Sequence, residues 1–346
     1  MRSSVTAIMT VAVLLFAQAV HAESGEADPL FQSNEILQVT FEGPLTTLID
    51  EKSKEDYLDG KFSVVDADGS TLELDVKFRA RGNFRHDNCD YPPVRLNFRK
   101  SQTKDTLFDK QDKLKLVVHC SRRAEYHQIV LQEYLAYRIF NVLTELSMRV
   151  RLLRITYVDT MERGQSEPRY AFLIEHKDRT AKRISIKGLS VERTQIGLID
   201  SEHLNLSSMF QFFIGNTDFS PVAGAPDDDC CHNYILFQNP GTKITAIPYD
   251  FDQSGFVDAP YANANPKFKL RSVRQRLYRG RCFNNDYVEG SIQQFLDHRD
   301  EIYSLIATQS GFEEETREDL VKFVDKFYDL IAEPKRVERT IFKKCI

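Results

Sequence analysis

The chain has no tryptophan, no Cys-x-x-Cys pair, no internal repeat, no low-complexity tract and no excess of basic residues. Each absence removes something. Without tryptophan, the aromatic mass of the core falls to 24 Phe and 14 Tyr. Structural zinc sites draw their ligands from closely spaced cysteine pairs, so zinc is a poor reading here. Lys and Arg number 46 against 51 Asp and Glu, a net charge of −5 spread along the chain. Affinity for nucleic acid rests on many basic groups neutralising phosphates, and nucleic acid is therefore not expected as a partner. Beyond residue 22 no window is apolar enough to cross a bilayer. What remains is a chain of 346 residues, long enough for a substantial core in one large or two medium domains.

The N-terminus has a signature of its own. Arg2 precedes an apolar run from Val5 to Val20, and small Ala22 stands before Glu23. This predicts a cleavable signal peptide over 1–22 and a mature chain that is secreted or periplasmic. All six cysteines (Cys89, Cys120, Cys230, Cys231, Cys282 and Cys345) lie in the mature part. In an exported protein an even count favours disulfides. At least two are expected. Cys89 with Cys120 is the favoured pair, because both flank the strands that face a phosphate-type loop, and adjacent Cys230 and Cys231 are expected to find separate partners.

The first half reads as β. Ile36–Phe41, Gly60–Val65, Thr71–Arg79, Val94–Phe98 and Lys113–Val118 alternate or run apolar between turn residues. Between two of them lies Arg81-Gly82-Asn83-Phe84-Arg85. Gly82 lets backbone approach a ligand, and Arg81 and Arg85 have the chemistry to pair with phosphate oxygens. The plain alternative is a hairpin loop with solvated arginines. A long helix is predicted over Glu125–Leu143, then strands at Arg151–Asp159 and Tyr170–Glu175. From Lys177 to Ser208 the periodicity is weak. Arg271, Arg274, Arg276, Arg279 and Arg281 form a basic run, either a clamp for an acidic substrate or a solvated helix face. Tyr287–Thr308 and Glu314–Ile331 read as amphipathic helices.

The stretch from Phe210 to Phe256 organises the rest. Strands Tyr234–Gln238 and Lys243–Pro248 are joined by Asn239-Pro240-Gly241-Thr242, whose proline and glycine set a tight turn. An apolar segment, Met209–Ile214, leads in. Asp218 follows it, Asn233 opens the first strand, and Asp250 closes the second. A hairpin brings its two ends together, so Asn233 and Asp250 are expected side by side with Asp218 near. Two carboxylates and an amide form a set suited to a hard cation such as Mg²⁺. Asp252 is a further metal-ligand candidate, and His232 is expected to orient the loop. Any one exposed aspartate is more often a turn former, and Asp227-Asp228-Asp229 reads as a solvated loop.

In Gly215-Asn216-Thr217-Asp218, His232-Asn233-Tyr234 and Pro248-Tyr249-Asp250-Phe251-Asp252, and more faintly in Arg81-Gly82-Asn83, the chain resembles the spore-coat-protein-H (CotH) family of atypical kinases, over roughly residues 75 to 260. The order is that of a kinase catalytic loop and metal-binding loop. The resemblance implies a two-lobed α+β, protein-kinase-like fold, with a β-rich lobe over 23–178 carrying one long helix and a mainly helical lobe over 179–346. It implies Asp218 as the catalytic group at the acceptor hydroxyl, and Asn233, Asp250 and Asp252 as ligands of Mg²⁺ or Mn²⁺. Lys115 would contact the ATP phosphates, held by Glu133, with Lys113 as the alternative lysine. Glu175 would end the strand leading to an inter-lobe hinge, and Arg81 and Gly82 complete the nucleotide-binding set. The expected activity is transfer of the ATP γ-phosphate to Ser or Thr hydroxyls of exported proteins by a monomer. Two departures stand out. Phe219–His232 lies between Asp218 and Asn233 where protein kinases have about four residues, and Asp250-Phe251-Asp252 replaces Asp-Phe-Gly. A non-catalytic kinase-like surface binding protein and a metal-dependent phosphohydrolase are the alternatives.

Overall fold

The computed structural model describes residues 25–65, 69–161, 164–224 and 230–346. The expected signal peptide and the Asp227–Asp229 triplet lie outside these residues.

Period-two alternation builds the first half. Strands β1 (Leu37–Gly43), β2 (Leu58–Val65), β3 (Thr71–Ala80), β4 (Val94–Phe98) and β5 (Lys113–Val117) follow one another as antiparallel neighbours. The chain then runs through helix α1 (Tyr126–Leu143) to β6 (Val150–Asp159), the short β7 (Gly164–Gln165) and β8 (Arg169–Ile174). β8 inserts between β5 and β6, both antiparallel. β6 then pairs with β1 in parallel, from Leu37 opposite Leu153 to Gly43 opposite Asp159. Seven strands thus close into a mixed barrel.

This closure overturns the two-lobed kinase-like architecture expected from the sequence. That reading required an open antiparallel sheet with free edges, whereas pairing of β1 with β6 leaves the ring none. Nothing local marks such a pair, because its strands are separated by most of the half-chain.

Inward-facing residues fill the barrel: Phe41, Phe62, Phe78, Leu96, Leu116 and Leu153 are each fully buried. β6 and β8 are covered on both faces, so Val150–Leu153, with Arg151 among them, and the apolar Ala171–Ile174 are buried without alternating. Their outer side chains Leu152, Phe172 and Ile174 pack under α1. From its other side α1 meets the second half, so that Leu131 and Phe140 share one core with Phe210, Phe251 and Phe323.

The second half holds α2 (Ser201–Phe213), a small sheet of β9 (Gly188–Leu189), β10 (Tyr234–Phe237) and β11 (Thr245–Pro248), and α3 (Val288–Asp297), α4 (Arg299–Thr308) and α5 (Glu314–Ile331). The expected hairpin is present in register, Tyr234 opposite Pro248 and Phe237 opposite Thr245. α2 begins where the sequence showed weak periodicity and ends within the apolar segment Met209–Ile214. It is buried on nearly every side, and several of its polar residues find partners within the protein. Asn205 donates to Asn284 O at 3.0 Å, and the hydroxyls of Ser207 and Ser208 reach Leu204 O. Asp200 caps its start by accepting from His203 N at 2.8 Å.

Disulfides join Cys89 to Cys120 and Cys282 to Cys345, with Cα separations of 4.8 and 4.9 Å. The expectation of separate partners for Cys230 and Cys231 is corrected. The other four cysteines are consumed by these two bridges, and the adjacent pair bonds to itself. Paired cysteines suit an oxidising compartment. Among the described residues no helix is long and apolar enough to cross a membrane.

Candidate functional site

The hairpin register fixes the heart of the site. With Tyr234 opposite Pro248, the next position outward sets Asn233 beside Tyr249, whose N–H donates to Asn233 O at 3.1 Å. Asp250 therefore leaves β11 where Asn233 enters β10. Both residues have left-handed backbone, φ 56° at Asn233 and 63° at Asp250. Non-glycine residues adopt this region at a cost and cluster at functional sites. The Asp250 N–H donates to the Tyr137 hydroxyl of α1 at 2.8 Å, which anchors the bend to the shared helix.

Asp218 joins them from the loop after α2. Asn216 Oδ1 accepts its N–H at 2.8 Å. Asn233 Nδ2 donates to Asp218 O at 2.6 Å and to its carboxylate at 3.2 Å. This spends the Asn233 amino group on the loop and leaves its carbonyl oxygen as the atom it can offer a ligand. His232 Nε2 lies 2.7 Å from Asp218 Oδ1, and that bond raises the histidine's pKa. Phe219–His232 is thus no obstacle to convergence, since its two ends are pinned together. Gly255 allows the turn beyond Asp252 to close: a Cβ there would stand 2.4 Å from Val273 O.

Asp252 is 5 % exposed and bonded to the Tyr261 hydroxyl. Burial, then the charge of Asp250, pushes its pKa up to about 7. Glu133, 2 % exposed on α1, is raised well above its ordinary value by burial and then by Asp252. Buried acids this close to one another disfavour each other's charge.

Across a cleft of about 790 Å³ stands the barrel wall. Arg81, Gly82 and Arg85 come from the connection between β3 and β4, and Lys115 from β5. Gly82 has φ 83°, which the turn out of β3 requires. Lys115 Nζ sits 4.2 Å above the Tyr249 ring, and burial followed by the neighbouring Arg81 charge lowers its pKa to about 7. The Cys89–Cys120 bridge ties the end of the Arg81–Arg85 connection to the chain beyond β5.

One cleft therefore gathers Arg81, Gly82, Lys115, Glu133, Asp218, Asn233, Asp250 and Asp252. Two expectations need correction. Glu133 meets Arg85, at 3.6 Å, rather than Lys115, whose attractive neighbour is Asp250. Glu175 does not enter the cleft. It is 2 % exposed and saturated by Arg183, with Nη2 at 2.9 Å and Nε at 3.1 Å, by Thr180 Oγ1 and by Arg149 N. It lies instead in the wall of an adjoining cavity of about 390 Å³. The basic run is not on a helix, and Arg274 pairs with Asp258 and Asp319. Arg279 donates to Thr217 O at 2.8 Å and Phe219 O at 2.9 Å, bracketing Asp218, while Arg276 donates to Phe213 O and Phe323 O.

Tyr137, Tyr261 and Arg279 were missed as site residues. Tyr137 stands one helical turn after Glu133, a spacing that puts both on one face and was open to reading. Nothing in the sequence ties Arg279 to Asp218. Among the described residues no group of three or more His, Cys, Asp or Glu side chains gathers closely enough to hold a metal. Compared with known proteins, the chain matches no family model, and no curated protein matches it.

Proposed function

We propose that the protein is an exported phosphotransferase of CotH-like chemistry, moving the γ-phosphoryl group of ATP to a Ser or Thr hydroxyl of another exported protein. The observation that carries this reading is the division of one cleft into an acidic wall (Asp218, Asp250, Asp252) and a cationic wall (Arg81, Lys115).

The residues fit a divalent cation. Mg²⁺ is commonly held by one or two carboxylates plus substrate phosphates rather than by an all-protein cage, and Asp250, Asp252 and the Asn233 carbonyl oxygen supply such a partial set of hard donors. Burial and then the Asp250 charge raise Asp252, a repulsion that a bound cation would relieve. Bound there, Mg²⁺ or Mn²⁺ supplies positive charge to the phosphate oxygens. The chain's own groups do the rest. Lys115 and Arg81 meet phosphate oxygens, and Gly82 lets the backbone approach them. Asp218, held by His232, Asn233 and the Arg279 bracket, takes the proton of the acceptor hydroxyl. As that oxygen bonds to the γ-phosphorus, the bond from phosphorus to the ADP oxygen breaks.

Incubation of the mature, oxidised protein with γ-labelled ATP, Mg²⁺ or Mn²⁺ and exported proteins tests this. Label transferred to protein hydroxyls is expected. ATP binding without transfer would give the non-catalytic reading, and phosphate release without an acceptor the phosphohydrolase.

A further inference from the structure

A second cavity opens at one end of the barrel. The strands pass through the wall that separates it from the cleft: Pro93 and Val117 face the cleft, while neighbouring Pro92 and Val118 face this cavity. The two share no lining residue. Its volume is about 340 Å³. That is roughly eleven times a water molecule's share of the liquid, room for on the order of ten non-hydrogen atoms.

The lining is strongly two-sided. Its body is apolar: Phe41 and Val94 from the barrel, and Leu45, Leu48 and Ile49 from the short helix Leu45–Glu51 that follows β1. The other end gathers polar groups around His119. The His119 ring lies 4.6 Å from that of Tyr91 and 5.8 Å from that of Tyr157. Arg122 Nε donates to Tyr91 Oη at 2.7 Å, and Arg169 Nη1 lies 2.7 Å from His127 Nε2. His119 is 4 % exposed with its Nδ1 unpartnered, and the buried Tyr157 hydroxyl is unpartnered too. Buried polar atoms are almost always bonded, so two orphans on one cavity call for a ligand atom. The acids nearby do not answer this. Asp159 is spent on Leu45 N, Met161 N and the Thr46 hydroxyl, and Glu167 stands exposed at the rim.

We infer that this barrel-end cavity binds a small free organic carboxylate, its apolar body among Leu45, Leu48 and Ile49 and its carboxylate toward Arg122, Arg169, His119 and Tyr157. Ligand cavities of this kind are mostly apolar, carry a few convergent polar groups, and occur at the mouths of β-barrels. The inference is independent of phosphoryl transfer.

Octanoate and 1-octanol, matched in length and differing in charge, are the probes, titrated calorimetrically into the mature protein. Octanoate is expected to bind one-to-one at millimolar or lower concentration and to raise the melting temperature, with octanol weaker. Ile49→Trp fills the apolar end and should weaken both probes by about tenfold or more. Arg122→Ala should weaken octanoate alone. Asp250→Ala, at the other cleft, should bind octanoate as the wild type does. Absence of one-to-one octanoate binding would overturn the proposal. So would unchanged binding to an Ile49→Trp protein that melts as the wild type does, or equal affinity for octanoate and octanol.

Discussion

The two walls of the cleft are made by opposite means. On the barrel wall, strand register places Lys115: Arg79 is opposite Arg95, and Arg95 opposite Lys115, a row of like charges across β3, β4 and β5 of which Lys115 is the member that lines the cleft. Such neighbours repel, and the Nε atoms of Arg79 and Arg95 are buried without partners. On the facing wall the site residues stand where regular structure stops. Asn233 and Asp250 bend through left-handed backbone at the two ends of one hairpin, and Asp218 is pinned to them by side-chain bonds. Regular strands can hold charges side by side only in rows, whereas strand ends can aim groups from distant parts of the chain at one point. On the proposed reading the cationic wall, Arg81 and Lys115, meets anionic oxygens and the acidic wall meets one cation. A metal-bound triphosphate has both halves of that complement.

The comparison breaks most visibly at the acidic point. Asp250→Ala is expected to abolish both nucleotide–metal binding and turnover. Asp218→Ala should keep nucleotide binding and slow transfer by ~10²–10⁴-fold, the usual worth of a positioned base. Calorimetric ATP–Mn²⁺ titrations beside transfer rates separate the two. Wild-type activity in Asp250→Ala would end the phosphotransferase reading.

The cationic surface should fail more gradually and with a pH signature. Lys115→Met is expected to cost about 10²–10³-fold in turnover, the scale of losing one preorganised electrostatic contact. Lys115 has a pKa near 7, lowered chiefly by burial, so it is charged below that pH and neutral above it. ATP affinity should then decline as pH rises from about 6 to about 8, a range set by one unit either side of that value. In Lys115→Arg, charged throughout, the decline should flatten. A wild-type affinity that is level with pH would remove Lys115 from the phosphate contacts.

How much of this was legible follows the same division. Convergence of Asn233 and Asp250 was readable because a hairpin turn carries its own residue signal and fixes what its ends do. The strands of the barrel were readable through alternation. Its closure was not, since the parallel β1–β6 pair joins remote strands and leaves no local mark. The first half of α2 hid because Asn205, Ser207 and Ser208 are buried in it, which blurs the apolar stripe that periodicity relies on; its second half was legible only as the apolar segment Met209–Ile214. Glu175 misled because its position along the strand was right while its carboxylate was already claimed by Arg183, a partner eight residues on.

A smaller effect belongs to the bridge that fixes the cationic wall. Replacing Cys89 and Cys120 together by serine should destabilise the fold by about 2–4 kcal/mol, as loss of a loop constraint does. Because the bridge holds the Arg81–Arg85 connection, ATP affinity should fall with it while Asp218 and Asp250 keep their geometry. Denaturant melts under oxidising and reducing conditions measure the first part. Unchanged ATP affinity in the folded double variant would show that the Arg81–Arg85 connection does not contact nucleotide.

One expected change is a gain, and it concerns Asp252 without metal. Its folded pKa is raised to about 7, by burial first and Asp250 second, from an ordinary 3.8. A carboxyl raised in this way binds its proton more tightly folded than unfolded. It costs nothing below the unfolded value, costs progressively more as pH climbs from 3.8, and reaches its full cost once pH passes the folded value. Asp252→Asn removes that charge while keeping the shape. The metal-free variant should accordingly melt above the wild type at pH 8, by less at pH 5.5, and level with it near pH 3. Added Mg²⁺ should reverse the order at pH 8, because the wild type then gains a ligand-binding stabilisation that the amide gives only weakly. A variant that melts below the wild type at pH 8 in the absence of metal would mean that the Asp252 carboxylate is satisfied by Arg85 and Tyr261 alone, and that the acidic wall needs no cation.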